Sequence, residues 1–252
     1  DSLTASVVWD IRLPRSVLGL VVGAALGVAG TLMQAVFANP LAEPSIIGVT
    51  SGAGVGAAVV IVFNIEFFGT FTVPAAAFLT ALLVTFIIYQ LARYNGRVAV
   101  VHLILTGIAI NAVCNAIISF MVYLAPTANR EAIIFWQMGS LNGSQWKHVW
   151  AVLPIVVIGL AVALRLGKQL DVLALGERAA AHTGVNVPRL RIVAIVASAV
   201  LTAAAVSFAG LIGFVGLIVP HLLRSIVGPE NRILLPASAL GGAVLIGFAD
   251  VA

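Results

Sequence analysis

Charged residues are scarce in this sequence. Of its 252 residues, 9% are Asp, Glu, Lys or Arg, whereas 62% are hydrophobic. A soluble domain carries about 25% charged residues, because its surface faces water. The shortage excludes a soluble globule of this length. The apolar residues instead form long runs, several of which approach the roughly 20 residues that cross a bilayer core.

The apolar runs also lack the alternation of apolar and polar residues that is typical of membrane β-barrels. The runs at 17–32 and 75–91 are examples. Inside lipid the backbone must satisfy its own hydrogen bonds, which leaves helices or closed barrels. The sequence therefore predicts an all-α, polytopic membrane protein. Its eight apolar segments lie at about 16–38, 46–64, 73–92, 100–124, 149–164, 192–209, 211–223 and 233–249.

Motifs of catalysis and of metal binding are missing. Gly167-Lys168 is followed by Gln169 and lacks the upstream glycine of a phosphate-binding loop. The four histidines lie far apart, without metal-ligand spacing, and the basic residues form no stripe that would follow nucleic acid. We therefore expect no enzyme activity, cofactor, metal or nucleic-acid partner. If ATP drives transport, another subunit must hydrolyse it.

Acidic side chains are missing from the interior of the predicted spans. Proton- and sodium-coupled carriers usually bury such groups as relays or ion ligands. The polar residues within the spans are neutral, among them Gln34, Asn111 and Asn115, and either interhelical hydrogen bonds or a polar pathway would account for them. The pattern disfavours an ion-coupled secondary carrier, which stays as the rival hypothesis together with a purely structural membrane protein.

The positions of Lys and Arg predict the orientation. Counted from the N-terminal stretch as zero, odd-numbered connections hold nine of these residues and even-numbered ones hold four. Positive residues concentrate on the cytoplasmic side, so odd connections should be cytoplasmic and the chain should start outside. We also expect one more span before residue 1, because most such proteins begin in the cytoplasm.

Glycines recur every four residues in two predicted spans. Gly19, Gly23 and Gly27 form one series, and Gly48, Gly52 and Gly56 form the other. Small residues at this spacing let membrane helices approach closely. We therefore expect close helix packing at both series, with gating by sliding helices as the alternative.

Two connections are candidate interaction sites. Arg12 and Arg15 flank Pro14 on the predicted outer face, where they would anchor lipid headgroups or bind the carboxylates of a docking protein. The predicted inner connection from 165 to 191 contains apolar and small residues, which would fit a groove of another protein or lie on lipid. It should form two short helical pieces punctuated by glycines, and its candidate contact residues are Leu175, Gly176, Glu177, Ala179, Ala180 and Gly184.

Several motifs, in order along nearly the whole chain, carry a family resemblance. They read RLPR at 12–15, GTLMQ at 30–34, NPLAEP at 39–44, GSL at 139–141, LGE at 175–177 and GLIGFVGLIVPH at 210–221. With these motifs the chain resembles the FecCD-like (type II) permeases of binding-protein-dependent ABC importers for iron chelates, haem and vitamin B12.

The resemblance implies a ten-span permease in a bacterial inner membrane. This chain would form one permease domain over 1–252 and would contain about eight of the ten spans. It would be a fragment that lacks the first and last spans. The resemblance also implies a homodimer or pseudo-dimer, two cytoplasmic ATPase subunits that use ATP, and a periplasmic or lipid-anchored binding protein. The cargo would be an iron chelate (siderophore or haem), with vitamin B12 as the alternative.

The same resemblance implies roles for the candidate residues. Arg12 and Arg15 would receive acidic residues of the binding protein, and 175–184 would be the coupling segment that contacts an ATPase. The fourth segment and a short outer helix at 129–138 would line the pathway, with a cytoplasmic gate near 98–102. The candidate pathway and gate residues are Val100, Val101, His102, Asn111 and Asn115.

Overall fold

The computed structural model describes residues 6–94 and 97–251. A π-helical stretch, Val7–Arg12, runs directly into α1, and short 3-10 turns form at Pro44–Ile47 and Gly69–Phe71. The two-residue strands β1 (Arg93–Tyr94) and β2 (Arg97–Val98) pair antiparallel. The helices are α1 (Leu13–Phe37), α2 (Val49–Val62), α3 (Thr72–Leu91), α4 (Val100–Leu124), α5 (Thr127–Met138), α6 (Trp146–Ala174), α7 (Glu177–His182), α8 (Val187–Ala209), α9 (Val215–Val227) and α10 (Asn231–Val251).

Within the described residues, six helices are long and apolar enough to cross a membrane. They are Val7–Phe37, Gly69–Leu91, Val100–Leu124, Trp146–Ala174, Val187–Ala209 and Asn231–Val251. Two shorter apolar helices, α2 and α9, account for the remaining predicted segments. The all-α prediction is therefore confirmed, and all eight segments correspond to helices.

The prediction for the fifth segment, 149–164, was wrong at its C-terminal end. α6 continues to Ala174, so residues 165–174 are helical rather than part of a connection. Leu166, Leu170 and Leu173 are buried at helical spacing, while Arg165 and Lys168 are exposed on the other side of the helix. The polar residues on the exposed side keep the mean hydropathy of this stretch low, although its other side is apolar. The apolar run in the sequence therefore ends before the helix does.

The short segment predicted at 211–223 was also displaced. α9 begins only at Val215, because Phe214 has a left-handed backbone conformation (φ 65°) that interrupts any helix preceding it. The helix then continues to Val227, four residues beyond the predicted end.

One compact unit comprises the described parts of 1–43, 141–205 and 213–252. Here α1 packs antiparallel to α10. Facing residues recur every four positions, rising in number along α1 and falling in number along α10. Arg15, Gly19, Gly23 and Gly27 of α1 lie opposite Asp250, Ile246, Gly242 and Ser238 of α10. A side chain at Gly23 or Gly27 would overlap a backbone carbonyl of α10. The close approach predicted for the first glycine series is confirmed.

Other helices of this unit also contact α1 through small or polar groups. Gly30 packs directly against the backbone of Gly216 in α9. Ser198 of α8 donates a hydrogen bond of 3.0 Å from its hydroxyl to the carbonyl oxygen of Ala29. Most of α1 is buried as a result, so this helix forms the centre of the unit.

The second compact unit comprises the described parts of 44–140 and 206–212. A Cβ at Gly52 of α2 would lie 2.8 Å from the carbonyl oxygen of Thr80 in α3, which confirms close packing at the second glycine series. Asn129 of α5 donates from Nδ2 to the carbonyl oxygen of Ile61 at 2.8 Å. This bond ties α5 to the end of α2.

Candidate functional site

The two N-terminal arginines have different surroundings. Arg12 ends the π-helical stretch and is exposed, and among the described residues it makes no hydrogen bond or ion pair. Arg15, one turn later, donates from Nε to Oδ1 of Asp250 at 2.7 Å. Its side chain remains 40% exposed, whereas that of Asp250 is 10% exposed. Arg12 therefore offers an unengaged guanidinium for a carboxylate partner, while Arg15 already has one.

An aromatic cluster lies beside this stretch. The indole N–H of Trp146, at the start of α6, donates to the carbonyl oxygen of Trp9 at 2.9 Å, and the two rings are 5.8 Å apart. Trp150 continues the cluster, with its ring 6.4 Å from that of Trp146. Tryptophans of this kind concentrate at membrane–water interfaces. Nothing in the sequence indicated that Trp9 belongs to this cluster, because it lies 137 residues before Trp146.

The candidate coupling segment contains one short helix rather than two helical pieces. Gly176 (φ 110°) separates α6 from α7, and Gly184 (φ 84°) follows α7. Both glycines therefore lie at helix boundaries, as predicted. The piece expected before Gly176 is the end of α6. Both glycines have backbone conformations that side chains with a Cβ rarely adopt.

Contacts within the segment orient α7. Glu177 forms an ion pair of 2.5 Å with Arg191 of α8, and Ala180 is fully buried. Ala179 is half-buried, whereas Leu175 is 77% exposed. Ala180 and the Glu177–Arg191 pair therefore hold one side of the segment in place, while Leu175 presents an exposed apolar side chain beside it. An exposed apolar side chain of this kind suits contact with another protein.

The candidate gate and pathway residues fall into two groups on α4. Val100, Val101 and His102 occupy its first turn, where Val101 is 63% exposed. Asn111 and Asn115 lie further along the helix, beginning about 16 Å from Val100 at 1.5 Å per residue. The structure thus separates the two groups.

Asn111 and Asn115 line a polar cavity of about 400 Å³ in the second unit. Asn111 donates from Nδ2 to the carbonyl oxygen of Ser45 at 3.0 Å and accepts from the hydroxyl of Ser51 at 2.5 Å. Asn115 is exposed. Neutral amides and hydroxyls dominate the lining, which consists of Ser45, Thr50, Ser51, Asn111, Asn115, Ile118, Ser119, Gln137 and Leu211.

The cavity shows that the two interpretations of the polar residues do not exclude one another. Asn111 makes interhelical hydrogen bonds and also lines the cavity, whereas Asn115 offers its amide to the cavity. The serines and Gln137 were missed from the sequence, although a polar stripe at 111, 115 and 119 on α4 was the signal that could have found Ser119. Within residues 6–94 and 97–251, no cluster of His, Cys, Asp and Glu could hold a metal ion.

Apolar helices of spanning length, a buried central helix and a polar cavity define a multi-pass α-helical membrane protein. The chain matches the model of the FecCD transport family over residues 1–252. It belongs to this family.

Named relatives and a solved structure agree with this assignment. The chain is 47% identical over 248 residues to the cobalamin import system permease protein BtuC of Halobacterium salinarum, covering 98% of this chain and 66% of the relative. It is 41% identical over 252 residues to the hemin transport system permease protein HmuU of Yersinia pestis, covering 96% and 74%. The chain thus spans about two thirds to three quarters of the length of these relatives.

The fold also matches that of a solved structure. A structure described as an inward-facing conformation of a metal-chelate type ABC transporter matches with a TM-score of 0.93 at 33% sequence identity. The match covers 99% of this chain and 79% of the other. The likeness therefore extends over nearly every helix given above.

Proposed function

We propose that this chain is the transmembrane permease subunit of an ATP-driven importer that carries a metal chelate across a bacterial inner membrane. The observation that carries the proposal is the family match along the whole chain, together with a fold shared at a TM-score of 0.93. ATP hydrolysis would belong to two separate cytoplasmic subunits, and two permease chains would form the pathway. A periplasmic or lipid-anchored binding protein would deliver the cargo.

Each candidate segment has a part in this proposal. The exposed guanidinium of Arg12 suits a carboxylate of the binding protein, because arginine presents a planar fork to such partners. The fixed α7 and the exposed Leu175 suit a groove of the ATPase subunit. The neutral polar cavity suits a cargo that passes without tight binding, since release from the pathway requires weak contacts.

The cargo is the finer part of the proposal. An iron chelate, either a siderophore or haem, comes first on the family resemblance, and the relative from Yersinia pestis is named for hemin transport. Vitamin B12 is the second candidate, favoured by the 47% identity to a relative named for cobalamin import.

Co-purification tests the proposal and separates the two cargoes. The full-length protein would be isolated with its neighbouring subunits, and the ligand of the binding protein would be identified by mass spectrometry. We expect an ATPase, a binding protein and a ferric or cobalt chelate. A permease that purifies without an ATPase and transports on an ion gradient would support the rival secondary carrier.

A further inference from the structure

α10 is attached at its two ends to two different helices, and in both places an aspartate makes the attachment. Asp171 of α6 contacts the N-terminal end of α10, and Asp250 near its C-terminal end contacts α1. All of these residues belong to the first compact unit. Their positions connect the segment that bears α7 with the segment that bears Arg12.

At the N-terminal end, Asp171 caps α10 from a neighbouring helix. Its carboxylate accepts hydrogen bonds from the backbone N–H groups of Asn231 and Arg232, the latter at 3.4 Å. The first N–H groups of a helix have no partner within the helix, and a negative charge there interacts favourably with the helix dipole. Gly167 lets the two backbones approach, because a Cβ there would lie 2.8 Å from the Cα of Arg232.

At the C-terminal end, Asp250 receives Arg15. Nε of Arg15 donates to Oδ1 at 2.7 Å, and an NH2 group of the same guanidinium lies 3.5 Å from the backbone oxygen of Asp250. Between this pair and the opposite end, Gly23 packs on Gly242 and Gly27 packs on Ser238. Backbone against backbone leaves no flexible side chain to absorb a shift, so α1 and α10 should move together.

α7, the helix of the candidate coupling segment, lies close along the chain to Asp171, which caps α10. α6 ends at Ala174, three residues after Asp171, and α7 begins at Glu177. A displacement of α7 would therefore act on the last turn of α6, and through Asp171 on α10. The 21 residues of α10 span about 30 Å at 1.5 Å per residue, which is the thickness of a bilayer core.

We propose that α10 transmits movement between the ATPase-coupling segment (175–184) and the start of α1 beside Arg12, with Asp171 and Asp250 as the positioning residues that attach it at each end. The inference rests on the proposed function. The path is a contiguous series of hydrogen-bonded and packed groups, and networks of this kind carry energetic coupling between distant sites. Neither aspartate would contact cargo or ATP.

The test measures how strongly loaded binding protein stimulates ATP hydrolysis by the full-length complex in lipid nanodiscs. Asp171→Leu and Asp250→Leu should each lower this stimulation about fivefold, in line with the coupling energies of interacting groups. Basal hydrolysis should be unchanged. Binding-protein affinity should be unchanged in Asp171→Leu and unchanged or higher in Asp250→Leu, because Arg15 would then be free.

Matched variants separate transmission from simple stability. Asp171→Asn and Asp250→Asn keep an acceptor oxygen and should retain part of the stimulation. Glu230→Gln removes the exposed pair of 2.8 Å with Arg232 at the same end of α10, and it should have no effect. Stimulation of ATP hydrolysis that increases from the Leu variant to the Asn variant to the wild type is expected only if the hydrogen bonds themselves carry the movement.

Several results would overturn the inference. Full stimulation in both Leu variants would do so, as would basal hydrolysis that falls in parallel with thermal stability, since the aspartates would then only hold the fold. A wild-type complex without any stimulation would overturn the proposed function as well. Stimulation in the wild type that persists in the variants would overturn the inference alone.

Discussion

Of the 18 consecutive residues of α1 that are most apolar, 72% are buried within the protein, whereas in the corresponding stretch of α4 only 22% are buried. Both helices are 25 residues long, and both are apolar enough to cross a membrane. α1 is lined with glycines and enclosed by its neighbours. α4 exposes large apolar side chains such as Leu105, Ile108 and Phe120, which require lipid or another protein to cover them.

The difference suggests that the two units have different tasks. The first contains the enclosed helix α1, both N-terminal arginines and α7, and we propose that it transmits movement. The second contains the polar cavity and the exposed α4, and we propose that it provides the pathway. Variants in the first unit should therefore change folding and coupling, whereas variants in the second should change cargo passage.

The largest effect is expected from Gly23→Val in α1. A Cβ there would overlap the backbone of Gly242, and because backbone cannot turn aside, the helices must separate. Such overpacking typically costs about 1–3 kcal/mol, and this site should lie at the upper end because the overlap is with backbone. The yield of monodisperse protein in detergent and its thermal midpoint would measure the loss. Gly213→Ala is the matched control, since nothing lies within 4 Å of its added Cβ; equal stability of the two variants would contradict the packing argument.

The next effect is expected from Glu177→Lys in α7. The lysine would face Arg191, which now pairs with Glu177 at 2.5 Å, so repulsion should displace α7 from its position. Uptake in proteoliposomes containing all subunits should fall about tenfold while hydrolysis continues, because loss of this partly exposed ion pair and the new repulsion together amount to about 1.4 kcal/mol. Deletion of residues 179–181 should uncouple the complex further. The double variant Glu177→Lys/Arg191→Glu should recover part of the uptake, and normal uptake in the single variant would rule out this role for α7.

A smaller effect is expected from Arg12→Glu. This guanidinium is exposed, so reversal of its charge should weaken capture of the binding protein about fivefold, mainly through slower association. Binding kinetics at low and at high salt would show whether the loss disappears under screening. Arg12→Lys keeps the charge and should lose less affinity for the binding protein. Arg15→Glu should also lower stability, because it would face Asp250; equal docking in all three variants would refute the assignment.

The smallest effect is expected in the cavity of the second unit. Asn111→Leu removes hydrogen bonds to Ser45 and Ser51 and should lower the free energy of unfolding by about 0.6 kcal/mol, as for polar contacts between membrane helices. Asn115→Leu should leave stability unchanged and slow cargo uptake. If Asn115→Leu transports at the wild-type rate, the cavity is not part of the pathway.

The sequence predicted elements whose signal is local. The bounds expected for α4, 100–124, are those observed, because Arg97 and Pro126 lie close to the two ends of a long apolar run. The glycine series also predicted close packing correctly, since small residues at a spacing of four leave one face of a helix open. The C-terminal part of α6 escaped prediction, because its polar residues lie on an exposed side and dilute the apolar signal.

The contacts that join distant residues had no local signal. Arg15 and Asp250 are separated by 235 residues, and Asp171 caps a helix that begins 60 residues later. Nothing in the pattern around either aspartate indicates its partner. The sequence therefore identified Arg12 and Arg15 as equivalent, and only the antiparallel packing of α1 and α10 distinguishes them.

Uptake by proteoliposomes shows whether this chain forms a pathway but takes its energy from an ATP-hydrolysing partner. The full-length permease would be reconstituted with and without its ATPase subunits, and labelled chelate would be supplied on the binding protein. We expect accumulation only when the ATPase subunits and ATP are both present. Accumulation by the permease alone, collapsing with a proton or sodium gradient, would contradict this expectation.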